Sequence, residues 1–145
     1  MVLISHRGNI EGKNTDKENH PYYIDQALSL GYQVEIDVWL INNELFLGHD
    51  EPQYPINQEW LYDKISKLWV HCKNIQAIEW FNSIGRFNYF WHENDTVTLT
   101  SKQDIWAYPG KQPIKNSIAV MPEIYDEDVS QCLGVCSDYI QNYKP

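Results

Sequence analysis

The chain has 145 residues, 43% of them hydrophobic and 14% aromatic, which is enough for one domain with a packed core and too few for two ordinary domains. Its net charge of −9, from 11 basic and 20 acidic residues, repels nucleic-acid phosphates and anionic lipid headgroups. We therefore expect a single domain over residues 1–145 that binds neither nucleic acid nor a membrane.

The first half of the chain alternates segments typical of strands and of helices. Pro21 in a first helical turn and Gly31 as a stop signal predict a helix between them. Asn57 and Asn74 are predicted to cap two further helices, the second of which ends at Gly85. In chain order we predict a strand at 2–4, a polar loop at 9–19, a helix at 21–30, strands at 32–41 and 44–48 joined by a turn at Asn42-Asn43, a short helix after 57, a strand from 68 and a helix after 74.

The second half of the chain is poor in helices, because its apolar segments follow one another closely. We predict strands at 89–91, 97–99, 105–107, 118–121 and 133–136, a helical turn at 126–131 and a short helix in the tail. Alternating strands and helices favour a parallel sheet, and about eight such strands favour a closed barrel, although ordinary barrels of this kind have roughly 250 residues. The predicted fold class is α/β, a reduced TIM-type (β/α)8 barrel with several outer helices missing.

Polar residues cluster where the predicted strands end. The carboxyl ends of parallel barrel strands meet on one face, which is where active sites are found. Four of the five histidines follow strands in this way, together with acidic and basic residues. The residues concerned are His6, Arg7, Glu35, Asp37, His49, His71, Lys73 and His92.

Glu35 and Asp37 lie two positions apart on one predicted strand, so their side chains point to the same side. Two neighbouring buried carboxylates repel each other unless a proton or a cation lies between them, and hard oxygen ligands suit Mg²⁺ or Ca²⁺. The spacing alone is equally compatible with one carboxylate on a solvated edge and the other in a salt bridge.

His6 and His49 are candidates for a general acid and a general base near neutral pH. Each of them could instead be a histidine that is simply bonded to a loop carbonyl. Arg7 and Lys73 are candidates for phosphate contacts, although a lone basic residue is more often solvated. Their common place at the predicted site face, in a protein poor in basic residues, favours the functional interpretation.

Several short motifs occur in the order known from one enzyme family. They are Ile4-Ser5-His6-Arg7-Gly8, Glu18-Asn19, Val34-Glu35-Ile36-Asp37-Val38 and Gly48-His49-Asp50. This pattern resembles the glycerophosphodiester phosphodiesterase family strongly over residues 4–50. Further on the likeness is weaker: Val70-His71-Cys72-Lys73 fits the family's Glu-x-Lys strand, and residues 134–139 are similar to its closing segment. The spider-venom phospholipase D enzymes share the same barrel.

The resemblance implies a TIM-type barrel with a divalent ion at its mouth. Glu35 and Asp37 would bind the ion, and His6 and His49 would be the acid and base of phosphodiester hydrolysis. A neighbouring hydroxyl of the substrate could attack phosphorus first, giving a cyclic phosphate that water then opens. Arg7 and Lys73 would hold the phosphoryl oxygens, and His92 is a further residue expected at the substrate. Glu18 would lie near the site or brace the first loop.

The sequence departs from the family pattern in three respects. The chain is short, so outer helices must be lost. His71 stands where the family has a third metal carboxylate; an imidazole there favours Mn²⁺ or Zn²⁺ more than the family's site does, unless His71 contacts only the substrate. Lys17 and His20 replace a proline and a threonine in the first loop. The divalent ion that we mainly expect is Mg²⁺ or Ca²⁺, with Mn²⁺ or Zn²⁺ as alternatives.

Missing outer helices would leave apolar surface uncovered. Some aromatic residues of the helix-poor middle are therefore predicted to cover the barrel exterior or to form a homodimer contact, although core packing is favoured for any single one. These residues are Phe90, Trp91, Trp106 and Tyr108.

The expected function is hydrolysis of a small phosphodiester, such as a glycerophosphodiester or a sugar or polyol phosphate diester. The alternative is a non-catalytic phospholigand-binding barrel, because the third carboxylate and several helices are missing. A metal-dependent nuclease is disfavoured by the negative charge and the lack of a basic stripe. The odd cysteine count and the short apolar start of the chain favour free thiols and a cytoplasmic location.

Overall fold

A computed structural model describes residues 1–144 of the chain. In this range the structure has ten strands, three α-helices and three short 3₁₀ helices. The strands are β1 (Val2–His6), β2 (Gln33–Ile41), β3 (Glu44–Leu47), β4 (Tyr54–Ile56), β5 (Leu68–Cys72), β6 (Asn88–Phe90), β7 (Val97–Leu99), β8 (Ile105–Ala107), β9 (Ser117–Val120) and β10 (Gly134–Ser137). The α-helices are α1 (Pro21–Ser29), α2 (Gln58–Tyr62) and α3 (Ile75–Ile84), and the 3₁₀ helices are Ile65–Lys67, Pro122–Ile124 and Ile140–Tyr143.

All ten strands belong to one sheet. Seven of them run parallel in the order β6-β5-β2-β1-β10-β9-β8. The hairpin β2–β3 turns at Asn42-Asn43, whose φ angles of 51° and 63° are those of a tight turn, and β4 extends it. β7 pairs antiparallel with β8.

The sheet curls so that its two ends approach each other. The ring of Phe90 on β6 lies 4.8 Å from that of Trp106 on β8, centroid to centroid, across the interior. Between β6 and β7 the described residues form no strand ladder. This seam is held instead by Ser101, whose backbone N–H donates to Tyr89 O at 2.7 Å and whose Oγ accepts from Tyr89 N at 3.0 Å.

The chain is therefore a mixed α/β protein with a curled sheet, and it differs from the predicted TIM-type (β/α)8 barrel. A parallel crossover needs a dozen or more residues, usually including a helix. Only residues 91–96 separate β6 from β7, and only residues 100–104 separate β7 from β8. Segments of this length permit a hairpin, so β7 runs antiparallel to β8, and no strand pair among the described residues closes the curled sheet.

The predicted helix caps are confirmed. Asn57 Oδ1 accepts a hydrogen bond from Trp60 N at 2.9 Å, and Asn74 Oδ1 accepts one from Ala77 N at 3.1 Å. Both contacts satisfy amide groups that the first helical turn leaves free. Gly85 ends α3 with a φ of 70°, a left-handed conformation that glycine adopts without steric cost.

One detail of the second half and one of the first differ from the sequence prediction. The helical turn predicted at 126–131 is wrong: the helical residues are Pro122–Ile124, and Asp126 has a φ of 50°, which ends the helical geometry. Pro122 favours this start because its fixed φ suits a first helical position. The short strand Tyr54–Ile56 has no predicted counterpart, since three residues carry too little alternation to be recognised.

Alternation along β2 separates the outer face of the sheet from its interior. Val34, Ile36 and Val38 are fully buried in the outer core, which includes residues of α1 and α3. Glu35 and Asp37 therefore point to the opposite, inner face. The alternation that gives β2 one apolar face therefore also directs two carboxylates toward the inside of the curled sheet.

The interior of the sheet is filled by aromatic side chains below the acidic pair. Phe90 and Trp106 are 3% and 1% exposed and belong to this inner cluster together with Trp69. Core packing, the interpretation favoured for any single one of these aromatics, is what the structure shows for these two residues, because their strand positions face inward. Tyr108 packs against the same cluster, whereas Trp91 is 36% exposed. The homodimer remains a prediction.

All three cysteines are free thiols, and burial raises the pKa of Cys72 to about 12. Among residues 1–144, no helix combines the length and the apolar composition needed to cross a bilayer.

Gly48→Ala should destabilise the fold, because a Cβ atom at residue 48 would lie 1.9 Å from the carbonyl oxygen of Glu51. The turn would have to shift, at a cost of about 3 kcal/mol in the free energy of unfolding. Gly31→Ala is the control, since its φ of +93° is unfavourable but nothing lies within 4 Å of the added atom. Urea unfolding should show the smaller loss for Gly31→Ala; equal losses would contradict the steric explanation.

Candidate active site

Three neighbouring strands bring the predicted metal ligands and His6 together. In the sheet register, His6 on β1 pairs with Glu35 on β2, and Asp37 on β2 pairs with His71 on β5. Residues in register on adjacent strands have their side chains on the same face. The pairing therefore delivers two imidazoles to the acidic pair from opposite sides of β2.

Glu35, Asp37 and His71 form a compact group of potential metal ligands. One ligand atom of each lies within 4.8 Å of the others. His71 Nδ1 is 3.1 Å from Asp37 Oδ1 and 3.9 Å from Glu35 Oε1. The three residues are buried, at 2%, 0% and 8% exposure.

Two oxygens of this group have no hydrogen-bond partner among the described residues. They are Glu35 Oε2 and Asp37 Oδ1, and both are buried. A buried, unsatisfied carboxylate oxygen is costly, so such atoms require an explanation. A divalent cation held by two carboxylates and an imidazole supplies one, and the residues present fit such an ion.

Arg7 ties the acidic pair to the first loop. Its Nη1 donates to Glu18 Oε1 at 3.1 Å, and its Nε lies 3.1 Å from Asp37 Oδ2. Asn19 clamps the same aspartate, because its Nδ2 donates to Asp37 Oδ2 at 2.9 Å and its Oδ1 accepts from Asp37 N at 3.1 Å. Glu18 thus links Arg7 to Asn9 of the first loop, and its place near a substrate stays a prediction.

His6 is oriented by an aspartate that the sequence analysis did not include in the site. Its Nδ1 lies 2.7 Å from Asp138 Oδ1, and its Nε2 lies 3.7 Å from Glu35 Oε2. Asn9 Nδ2 donates to the same Asp138 oxygen at 2.8 Å and to Glu18 Oε2 at 2.9 Å. His6 therefore has one ring nitrogen fixed by a carboxylate and the other directed at the acidic pair.

His49 lies at the rim of the site and not in the buried cluster. Its side chain is 41% exposed, and its Nδ1 is 2.7 Å from Asp50 Oδ1. It lines a cavity of about 350 Å³ together with Arg7, Glu18 and Asn19. Lys73 is close enough for its charge to lower the pKa of His49 and to oppose the rise in the pKa of Glu35.

His92 contacts the site through its backbone and not through its ring. Its carbonyl oxygen is 3.3 Å from His71 Nε2, while its Nδ1 is 3.3 Å from Asp95 Oδ2. The His92 ring stacks on Tyr108, with centroids 3.8 Å apart. The structure therefore places His92 beside the predicted ligands, with its side chain bound to other groups.

The two carboxylates of the acidic pair have opposite pKa shifts. Burial, and then the charge of Asp37, raise the pKa of Glu35 well above its ordinary value. Burial alone would also raise the pKa of Asp37, but His71, Arg7 and Asn19 outweigh it and lower that pKa. A proton shared by the pair therefore resides on Glu35. Burial, and then the charge of Arg7, lower the pKa of His49.

Glu35→Gln should stabilise the metal-free protein at neutral pH. Because the pKa of Glu35 is raised, the folded chain keeps a proton that the unfolded chain loses, so stability falls as the pH rises above the ordinary value of 4.5. Glutamine carries no charge, so the decrease in stability with rising pH should be absent in the Glu35→Gln variant. Urea unfolding with a chelator, from pH 4.5 to about pH 8, measures the difference.

Asp138→Asn is the control of opposite sign. Burial would raise the pKa of Asp138, but its contacts with His6 and Asn9 lower it instead. Its carboxylate therefore stabilises the fold at every pH above the ordinary value of 3.8, and that contribution is lost only at lower pH, so this variant should be less stable than the parent by a constant amount from pH 4.5 to about pH 8. Parallel stability curves for the parent and Glu35→Gln would contradict the assignment of the proton.

The residues that sequence reasoning missed come from loops and from the last strand. Asp138 immediately follows β10, which pairs in parallel with β1, so its place at a strand end was a usable signal. Asn9 and Asn19 lie in the first polar loop, where no periodicity marks a functional side chain. Of the predicted residues, the structure joins His6, Arg7, Glu18, Glu35, Asp37 and His71 by direct contacts.

The fold and this cluster define a mixed α/β protein with a buried group of potential metal ligands. Comparison of the chain with known protein families, curated proteins and solved structures finds no match in any of the three. The resemblance to glycerophosphodiester phosphodiesterases therefore rests on the short motifs alone.

Proposed function

We propose that this protein is a metal-dependent hydrolase of small phosphodiesters, such as glycerophosphodiesters or sugar or polyol phosphate diesters. One observation carries the proposal: a buried group of two carboxylates and an imidazole lies next to His6, whose Nε2 is 3.7 Å from Glu35 Oε2. An ion-binding group and an acid–base residue within one hydrogen-bonding network are what hydrolysis at phosphorus needs.

The surroundings of the cluster also suit a divalent cation. Four buried carboxylates, those of Glu18, Glu35, Asp37 and Asp138, belong to the site, and the Arg7 guanidinium pairs directly with only two of them, Glu18 and Asp37. A phosphodiester is itself an anion, so it would be repelled from this group unless added positive charge offset the acids. When bound, a divalent ion would polarise the phosphoryl oxygens and offset that negative charge.

In the proposed reaction an oxygen nucleophile forms a bond to phosphorus as the bond to the leaving alcohol breaks. The nucleophile is water, or a substrate hydroxyl in a first step that gives a cyclic phosphate. His49 accepts the proton of the nucleophile, because its lowered pKa leaves it neutral near pH 7. His6 delivers a proton to the leaving oxygen, and Asp138 holds its ring in place. Arg7 and Lys73 contribute positive charge near the phosphate.

The test is hydrolysis of bis(p-nitrophenyl) phosphate and of glycerophosphodiesters by the full chain after treatment with a chelator. We expect turnover to be low without metal and to rise on addition of a divalent ion, with Mg²⁺, Ca²⁺, Mn²⁺ and Zn²⁺ compared separately. No metal-stimulated turnover on a broad panel of phosphodiesters would refute the proposal.

A binding-only barrel is the second candidate, and the placement of His49 favours it. This side chain is 41% exposed and bonded to Asp50, outside the buried cluster. A protein that only binds a phospholigand needs no second imidazole near the phosphorus. Calorimetry that shows tight binding of inorganic phosphate or glycerol phosphate, without turnover of any diester, would select this candidate.

A further inference from the structure

The two ring nitrogens of His71 have different partners. Nε2 lies 3.3 Å from the backbone carbonyl oxygen of His92. A carbonyl oxygen only accepts hydrogen bonds, so this contact holds the proton of a neutral imidazole on Nε2. With an ion bound, Nδ1 carries no proton and presents its lone pair to the acidic pair, 3.1 Å from Asp37 Oδ1 and 3.9 Å from Glu35 Oε1.

This arrangement places three electron-rich atoms around one point. The oxygen nearest to Nδ1, Asp37 Oδ1, is buried and makes no hydrogen bond to any of residues 1–144. A lone pair facing carboxylate oxygens is repulsive unless something positive lies between them. A metal ion at that point would satisfy the nitrogen and the unpartnered oxygen together.

The distances agree with such an ion. Ligand atoms about 2.1 Å from one Zn²⁺ ion lie about 3.0–3.4 Å from each other. The separation of 3.1 Å between His71 Nδ1 and Asp37 Oδ1 already falls in this range, and Glu35 Oε1 would have to approach His71 Nδ1 by less than about 1 Å. The His71 ring stacks on the ring of Phe90, with centroids 5.0 Å apart. This contact sets the orientation of the imidazole before an ion binds.

We infer that this centre selects a zinc-type transition ion over Mg²⁺ and Ca²⁺, with His71 Nδ1 as a direct ligand and the His92 carbonyl as the group that fixes the tautomer. Imidazole nitrogen suits Zn²⁺ and its neighbours in the first transition series, whereas Mg²⁺ and Ca²⁺ favour oxygen ligands. The hydrogen bond from the second ring nitrogen is the usual outer support of a metal-bound histidine. This inference rests on the metal-binding part of the proposed function and not on its chemistry.

The experiment measures ion affinity on the chelator-treated full chain by calorimetry with ZnCl₂, MgCl₂ and CaCl₂. We expect Zn²⁺ to bind at least about 10²-fold more tightly than either alkaline-earth ion. His71→Ala should remove most of that preference. His71→Glu should shift the preference toward Mg²⁺ and Ca²⁺, because it replaces the nitrogen by carboxylate oxygens.

His92→Ala is the matched control, because it removes the imidazole of residue 92 and keeps the backbone carbonyl. We expect its Zn²⁺ affinity to stay within a few-fold of that of the parent chain. If His92→Ala lost Zn²⁺ binding as completely as His71→Ala, the ring of His92 would be a ligand and the assignment to His71 would be wrong.

Nitrogen NMR of the parent chain tests the tautomer without any substitution. With ¹⁵N-labelled histidine, we expect the proton of His71 on Nε2 before and after Zn²⁺ is added, and a shift of the Nδ1 resonance on binding. A proton on both ring nitrogens that Zn²⁺ does not displace would overturn the inference. It would show a histidine cation that neutralises the acids with no ion.

The outcomes separate this inference from the proposed function. Selective Zn²⁺ binding through His71 without turnover of any phosphodiester would uphold the metal assignment and refute the hydrolase. Turnover that is equally supported by Mg²⁺ and Zn²⁺, with equal affinities for both ions, would uphold the hydrolase and refute the selectivity.

Discussion

His6→Ala should lower kcat/KM for metal-stimulated phosphodiester hydrolysis by about 10²–10⁴-fold, the range usual for loss of a general acid or base. Its imidazole has Nδ1 fixed by Asp138 at 2.7 Å and Nε2 directed at the acidic pair. It is not one of the three potential ligands, so the affinity for the metal should change little. Steady-state kinetics together with calorimetry of metal binding separates the two effects.

His20→Ala is the control for this variant. His20 caps α1, where its Nδ1 accepts a hydrogen bond from Tyr22 N at 3.2 Å, and it makes no contact with the acidic pair. Its loss should leave turnover unchanged. Asp138→Asn should give an intermediate loss, because the His6 ring remains but its orienting carboxylate is gone. If His6→Ala turned over substrate like the parent chain, His6 would have no part in the chemistry.

Asp37→Ala should lower the free energy of unfolding of the metal-free protein by about 3–5 kcal/mol, the usual cost of breaking a buried ion pair. Asp37 is fully buried and lies 3.1 Å from Arg7 Nε, so its removal leaves the guanidinium with Glu18 alone. Relief of repulsion from Glu35 should offset only part of this cost, because burial by itself raises the pKa of Glu35 and disfavours its charged form. Urea unfolding with a chelator measures the change.

Asp37→Asn provides the matched comparison. The amide keeps the shape of the side chain and can still accept from Asn19, so its destabilisation should be smaller than that of the alanine variant. Both variants should lose metal binding, because each removes a carboxylate ligand. A loss below about 1 kcal/mol for Asp37→Ala would show that Arg7 and Asn19 rearrange without cost.

The outer architecture of the first half could be predicted because its signals are local. Asn57 and Asn74 are helix caps, and Gly85 is a left-handed helix end; each acts on amides or carbonyls a few residues away. The same holds for the turn at Asn42-Asn43, where both residues have positive φ. Signals of this kind act within one turn of chain and need no partner from elsewhere.

The closure of the sheet could not be predicted in the same way. Counting strand segments indicated a barrel, but the direction of β7 depends on the length of the loops around it. Its weak seam with β6 depends on how the sheet curls, and Ser101 bridges that seam only once the curl brings it beside Tyr89. Non-local pairing of this kind leaves no periodic trace in the sequence.

The sequence by itself determined which face of β2 carries Glu35 and Asp37, because side chains alternate along any strand and Val34, Ile36 and Val38 must face a core. Only the tertiary structure decided what those carboxylates meet. The register of β1 and β5 on β2 brings His6 and His71 to them, and β10 brings Asp138 from 132 residues beyond His6. Alternation is a property of each strand, whereas register depends on the packing of all of them together.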